Sequence, residues 1–333
     1  MLHIVAFEVR EDEKKEFCVL AEELGVQITC TEEVPSTKNV DLLDGCVGVS
    51  ILGQGAIRGE LLDLWREMGI RYLSTRTIGY DHIDIQHAER VGIRICNARY
   101  APNGVAEFTV MLMLMSIRNC KQAMWRSRVN DFSLSGLMGR ELKDLTVGVL
   151  GTGQIGQKVV ELLSGFGCRI LAYNHSEKAA VKRYAAYVDL DTIFRESDVI
   201  TLHLPATPET YHIINGESIA KMRDHVVLIN CSRGELMDTH ALVDGIESEK
   251  IGAIGMDTIE GENVMVHCDR RSDIIANRDL FYLQQFRNVV LTQHMAFYTD
   301  AAVRDMVRCG VEGIVRMAAG ERYPTELTGG KAL

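Results

Sequence analysis

Short apolar runs alternate with longer amphipathic stretches along almost the whole chain. HIVAFEV at 3–9 predicts a strand, and EDEKKEFCVLAEELG at 11–25 predicts a helix ended by glycine. GCVGVSIL (45–52) reads as a strand, ELLDLWREMG (60–69) as a helix and RYLSTR (71–76) as a strand. A second series opens near residue 146 with strand TVGVLG and helix QKVVELLSGFG. RILAYN, DVITLHL, HVVLIN, IGAIGMDT and NVVLTQH (288–294) supply further strands, and DAAVRDMVRCGVEGIVRMAAG (300–320) is an amphipathic helix. Strand–helix alternation of this kind predicts parallel sheets covered by helices on both faces. The expected fold is therefore α/β, with two doubly wound parallel-sheet domains and an interdomain cleft. Residues 1–100 with 296–333 would form one domain and 101–295 the other.

One stretch departs from the rhythm. From 102 to 129, VAEFTVMLMLMSIRNCKQAMWRSRV follows a Pro-Asn start and is apolar around most of its circumference, with basic residues at its end. It predicts one long, deeply buried helix. Core packing and a subunit interface both satisfy such a helix, because each covers it on every side.

The 333 residues are 47% hydrophobic and 25% charged, which excludes disorder, collagen and coiled coil. The net charge of -10 repels phosphate backbones, so no nucleic-acid partner is expected. None of the nine cysteines has CxxC spacing, which argues against a zinc ribbon or a thioredoxin-type site and for inert thiols in a reducing cytosol. No metal is expected. The N-terminus turns acidic after a short apolar run, unlike a signal peptide. VMLMLMSI (110–117) falls short of the ~20 residues of a membrane span. A cytoplasmic protein without a membrane partner is expected.

Between strand TVGVL and helix QKVVELL lies Gly151-Thr152-Gly153-Gln154-Ile155-Gly156. A lone GxGxxG is weak, and a plain tight turn explains many. Here it leaves a strand and opens a helix, where a dinucleotide pyrophosphate would meet free N–H groups and the positive helix end. Gly151 would allow the turn, Gly153 would admit the pyrophosphate and Gly156 would let helix and strand close. At the end of the next strand, an acidic residue would hold the ribose 2′-OH of NAD. Asn174-His175-Ser176 stands there instead, with Lys178 nearby. Asn174 would not repel a 2′-phosphate, so the cofactor is read as NAD(P)H, with NADP use expected.

Hydride exchange with a hydroxy or keto acid needs a cation for the carboxylate, an acid/base for the alcohol and a group to tune that acid. Arginine offers a bidentate fork, histidine titrates near neutrality, and a neighbouring carboxylate stabilises imidazolium. Arg233, Glu262 and His294 offer these types near the ends of three strands. Singly, each is as easily a surface or structural residue.

Several motifs then occur in order: TRTIGYDHID (75–84), YAPNGVAE (100–107), TVGVLGTGQIG (146–156), HLPATPET (203–210), INCSRGELMDT (229–239), GMDTIEGE (255–262) and HMAFYTDAAVRDMV (294–307). Over nearly its whole length the chain resembles the D-2-hydroxyacid dehydrogenases, within them the D-lactate dehydrogenase branch, and among those the vancomycin-resistance type. The resemblance implies a flavodoxin-like and a Rossmann domain. It implies that Arg233 binds the substrate carboxylate, that His294 exchanges the proton, and that Glu262 rather than Glu260 pairs with His294 and raises its pKa. It places Asp257 at the nicotinamide end of the cofactor. Gln154 and Ile155 would meet the pyrophosphate, with Leu204, Pro205, Thr210 and Cys231 along the cofactor. The N–H groups of Ile78 and Gly79 would hold the carboxylate, and Leu52, Tyr100 and Tyr298 would line the substrate site. It also implies a homodimer through the helix at 103–118.

Two positions depart from the pattern: Asn174 replaces an acidic residue, and Gln293 replaces the proline that normally precedes the histidine. Proline fixes φ, so the His294 loop is expected to be less constrained. The first expectation is reduction of pyruvate to D-lactate. The alternative is a branched or aromatic 2-keto acid, since one methylene in an apolar pocket is worth only about 1–3 kcal/mol. A remote alternative is a non-catalytic, dinucleotide-sensing corepressor, against which the complete Arg233, Glu262 and His294 set argues.

Overall fold

The computed structural model describes residues 1–262 and 265–329; the tail at 330–333, expected in the first domain, lies outside the described residues. The chain divides into two compact units, Met1–Ala101 with Tyr298–Leu333 and Pro102–Phe297. The first unit opens with β1 (His3–Ala6), α1 (Glu11–Leu24), β2 (Gln27–Cys30), β3 (Gly48–Ile51), α2 (Gly59–Glu67), β4 (Tyr72–Thr75), α3 (Ile85–Val91) and β5 (Arg94–Asn97). The second runs through α4 (Asn103–Ile117), α5 (Cys120–Arg128), β6 (Thr146–Leu150), α6 (Gln154–Ser164), β7 (Arg169–Tyr173), α7 (Ala179–Lys182), β8 (Ala186–Tyr187) and α8 (Leu190–Glu196). It continues with β9 (Val199–Leu202), α9 (Gly216–Lys221), β10 (Val226–Asn230), α10 (Thr239–Glu247), β11 (Ile251–Met256), α11 (Arg278–Gln285) and β12 (Val289–Leu291). The chain then returns to the first unit as α12 (Asp300–Ala318).

In the first unit the sheet order is β2-β1-β3-β4-β5, all parallel. This is the flavodoxin-like order. Strands buried on both faces read as continuous apolar runs rather than alternating ones, and β3 is buried at every position. Phe7, Leu62, Trp65 and Ile95 pack on one side, while Phe17, Leu20, Val307 and Ile314 pack with β1 on the other. One ion pair lies wholly inside: Arg76, from the motif TRTIGYDHID, donates to Glu13 Oε1 at 2.9 Å and to the Phe7 carbonyl at 2.9 Å.

The second unit has seven parallel strands in the order β12-β11-β10-β9-β6-β7-β8. Reading outward from β6, this is a Rossmann order with one strand added. Both units are thus doubly wound α/β sheets.

The long helix expected over 102–129 is two helices. Asn119 takes a left-handed conformation (φ 51°) and ends the first run. Asparagine tolerates that region better than most residues. α4 buries eight of its fifteen residues and packs on α6, β10, β11 and β12, while Met111 on its other side stays exposed. α5 buries none. Met124, Trp125, Val129, Phe132, Leu134 and Met138 instead lie open to solvent. The helix at 103–118, expected to form the interface, is thus half covered within its own unit, and further open apolar surface follows it in the chain. Strand 288–294 is also shorter than its apolar pattern: it ends at Leu291, and His294 lies in the loop beyond.

Candidate functional site

Parallel pairing sends the carboxyl ends of all seven strands of the second unit to one edge. β7 follows β6 on one side, then the chain crosses to β9 on the other. Such a reversal leaves a crevice beyond the strand ends. The glycine loop leaves β6 at that point. A Cβ added at Gly156 would stand 2.0 Å from the Gly151 carbonyl oxygen, so only glycine lets α6 close on the turn. At Gly153 an added Cβ would meet nothing within 4 Å, so the loop's other side is open. No side chain caps α6. Its first-turn N–H groups and positive dipole end are therefore offered to an anion. These residues fit a dinucleotide pyrophosphate.

Asn174 follows β7. Its Oδ1 accepts from Thr152 N at 3.3 Å and its Nδ2 donates to the Ser176 carbonyl at 2.8 Å, bracing the glycine loop. His175 is exposed, its ring edge-on to Tyr173. Beyond β9, Thr210 Oγ1 donates to the Pro205 carbonyl at 2.6 Å and closes the loop that starts with Leu204. Cys231 follows β10; burial pushes its thiol up to about 12, so it stays protonated and unreactive at neutral pH.

The loops beyond β10, β11 and β12 carry Arg233, Glu262 and His294. Asn230 shapes the turn that bears Arg233: its Nδ2 donates to the Arg233 carbonyl at 2.8 Å and its Oδ1 accepts from Ser232 N at 3.0 Å. The turn then presses against the neighbouring loop. A Cβ at Gly234 would stand 2.0 Å from the Ile259 carbonyl carbon, so glycine brings the turn against the 259–260 backbone. That loop ends in Glu262, whose Oε2 accepts from Ile259 N at 2.9 Å and whose Oε1 stands 2.7 Å from His294 Nδ1. Glu260 faces elsewhere, with His212 Nε2 at 2.7 Å and Thr239 Oγ1 at 3.1 Å. A carboxylate only accepts, so Nδ1 of His294 carries the hydrogen and Nε2 is left to exchange a proton.

Asp257, buried at the end of β11, holds the loop of His294. It accepts from Thr292 Oγ1 at 2.5 Å, Met295 N at 2.9 Å and Ala296 N at 2.7 Å. His294 itself is left-handed, with φ 53°. Sequence reasoning missed one neighbour: His267 Nε2 lies 3.0 Å from the His294 carbonyl. Nothing in its local pattern marked it.

In the first unit, Leu52, Ile78 with Gly79, and Tyr100 follow β3, β4 and β5, again at one sheet edge, and Tyr298 precedes α12. The carbonyls of Ile78 and Gly79 accept from Asn97 Nδ2 at 2.7 Å and Thr77 Oγ1 at 2.6 Å, which fixes this turn. Leu52 is held by a residue the sequence did not single out. The buried Glu8 carboxylate accepts from the N–H groups of Leu52, Gly53, Gln54 and Gly55 at 2.5–3.0 Å. Tyr298 lies under the Arg10 guanidinium, 5.3 Å from its ring centre. Among the described residues, no group of three or more His, Cys, Asp or Glu side chains is placed to hold a metal, and no helix is long and apolar enough to cross a membrane.

Comparison with known proteins bears on this arrangement. Residues 110–296 match the family model of the D-isomer specific 2-hydroxyacid dehydrogenase, NAD binding domain. The chain is 42% identical to an aromatic 2-oxoacid reductase of Clostridium sporogenes over 92% of its own length and 93% of that protein's. It is 38% identical to a D-specific alpha-keto acid dehydrogenase of Enterococcus faecium, over 91% and 93%. The crystal structure of a D-lactate dehydrogenase from Treponema pallidum superposes with a TM-score of 0.89 at 31% identity, covering 98% of this chain and all of that one.

Proposed function

The chain belongs to the D-isomer specific 2-hydroxyacid dehydrogenase family, and on that premise we propose that it reduces a 2-oxo acid to the D-2-hydroxy acid with NAD(P)H, pyruvate to D-lactate being the first candidate reaction. One observation carries the reading: the 2.7 Å contact of His294 with Glu262, on loops at the same sheet edge as the glycine turn and Arg233. The Arg233 fork takes the substrate carboxylate. His294 Nε2 gives its proton to the keto oxygen, and Glu262 stabilises the imidazolium from the Nδ1 side. In the oxidation direction the same nitrogen takes the proton back. Bound reduced nicotinamide supplies the hydride. Asp257 fixes the His294 loop, and the resemblance also sets it beside the nicotinamide. The same resemblance assigns the N–H groups of Ile78 and Gly79 to the substrate carboxylate, and Leu52, Tyr100 and Tyr298 to the rest of the substrate.

A second reading takes branched or aromatic 2-oxo acids, and the 42% identity to an aromatic 2-oxoacid reductase favours it. Initial rates with pyruvate, 2-ketoisocaproate and phenylpyruvate, with product chirality, separate the two. Preference for pyruvate with D-lactate as product upholds the first. Preference for the larger acids moves the substrate and keeps the chemistry. Absence of turnover with all three, despite tight cofactor binding, would leave the non-catalytic dinucleotide sensor.

Gln154, Ile155, Leu204, Pro205, Thr210 and Cys231 follow the cofactor in this reading, with Asn174 and His175 at the adenosine ribose. An uncharged Asn174 admits a 2′-phosphate, so NADPH is expected to serve. Asn174→Asp is expected to raise the NADH:NADPH ratio of kcat/KM, because a carboxylate accepts from the 2′-OH and repels a phosphate. An unmoved ratio would remove the 2′-site assignment.

We also infer a homodimer. The helix at 103–118, with Met111 exposed, is its expected interface, and the six open apolar side chains between Met124 and Met138 would extend it. Sedimentation as a particle of one 37.2 kDa chain at micromolar concentration would contradict it.

A further inference from the structure

His294 does its proposed work from a strained position, and the restraint expected just before it is missing. Its φ of 53° lies in the left-handed region, which non-glycine residues adopt uncommonly and at a cost. Residue 293 is Gln, where the resemblance implies proline, so no ring fixes φ at the residue before it. The restraint lies on the other side. The carbonyl of His294 and the N–H of Met295 belong to one planar peptide unit. Met295 N donates to Asp257 Oδ1 at 2.9 Å, and the His294 carbonyl faces His267 Nε2 at 3.0 Å. A carbonyl only accepts, so His267 donates from Nε2. The peptide is thus gripped at both ends, which sets ψ of His294 and the direction in which its ring leaves the backbone. Phe297 packs edge-on to both imidazoles, at 5.9 Å from His267 and 6.4 Å from His294.

We propose that His267 is a positioning residue for the reaction: with Asp257 it holds the 294–295 peptide and replaces the restraint that proline at 293 would supply. This rests on the reading of His294 as the acid/base. His267 lies between β11 and α11, and among the described residues of that segment there is no strand or helix of the sheet frame. The contact is therefore an addition to the frame rather than a consequence of it. Its donor serves equally with one or two ring hydrogens, so an amide donor of similar reach can replace it.

The test compares His267→Phe, which keeps a ring and loses the donor, with His267→Gln, which keeps a donor. The loss of one hydrogen bond that aligns the acid is expected to lower kcat about 5–10-fold in His267→Phe, with KM for the oxo acid and for NADH within about twofold. His267→Gln is expected to recover most of that loss. Adding Gln293→Pro to His267→Phe is expected to recover it too, by restoring the restraint from the other side. Hydrogen–deuterium exchange on the cofactor-free protein reads the same contact without turnover: Met295 and Ala296 amides are expected to exchange faster in His267→Phe and not in His267→Gln. Wild-type kcat and unchanged exchange in His267→Phe would overturn the proposal, as would equal losses in the Phe and Gln variants. His294→Asn separates the two levels. If it keeps full turnover, the acid/base reading falls and this proposal falls with it. If it is inactive while His267→Phe behaves as wild type, only the positioning role falls.

Discussion

His294→Asn is expected to lower kcat by about 10²–10⁴-fold, the usual share of a positioned general acid, while KM for NADH stays near wild type. Asparagine keeps a polar side chain that can still face Glu262, so the loop need not rearrange. What it lacks is a group that exchanges a proton near neutral pH. In the native arrangement the Glu262 carboxylate lies 2.7 Å from Nδ1 and fixes the tautomer, so the loss falls on the Nε2 side of the ring. Steady-state kinetics with pyruvate and with phenylpyruvate check it. A kcat within threefold of wild type with both acids would remove His294 from the proton transfer.

Arg233→Lys is expected to cost nearly as much, on a different parameter. Removing one side of a desolvated charge pair costs about 2–5 kcal/mol. Lysine keeps the charge and loses the fork, so kcat/KM for the oxo acid should fall by roughly 30-fold or more, chiefly through KM. The turn that bears Arg233 is set by Asn230 and Gly234, neither of which the substitution touches. The Kd for NADH should therefore stay unchanged, and direct cofactor titration checks that control. An unchanged KM for the oxo acid would argue against a carboxylate role for Arg233.

Much of the frame was legible in the residues alone. The alternation of apolar runs with amphipathic stretches is a local property of each element, because a strand buried on both faces must be apolar throughout. The strands beginning at 3, 146 and 226 announced themselves in this way. Others did not. β2, QITC, is an edge strand with exposed or half-exposed positions throughout, so its residues carry no apolar run. NVVLTQH looks like one strand to its end, but pairing with β11 stops at Leu291 and the chain turns out to be held by Asp257. The apolar stretch over 102–129 predicted one helix because periodicity does not register a single left-handed Asn119.

Of the candidate site, the glycine turn was the most legible part, since its requirements lie within six consecutive residues between a strand and a helix. Choosing between Glu260 and Glu262 was different. The two are separated by one glycine and share one loop, and the chain alone offers no reason for either; only the resemblance pointed to Glu262. Packing separates them: one carboxylate meets His212 and Thr239, the other meets His294. His267 and Glu8 left no mark in the pattern, because the backbone groups they contact are 27 and at least 44 residues away.

Sequence by itself determined the fold class, the dinucleotide turn and the residue types available for hydride chemistry, because these depend on side-chain periodicity and short-range backbone needs. Tertiary structure decided which carboxylate faces which histidine, what grips the backbone that follows His294, and which apolar side chains remain uncovered. Those outcomes depend on contacts between residues far apart in the chain, whose energies exist only once the sheet has brought the strand ends to one edge.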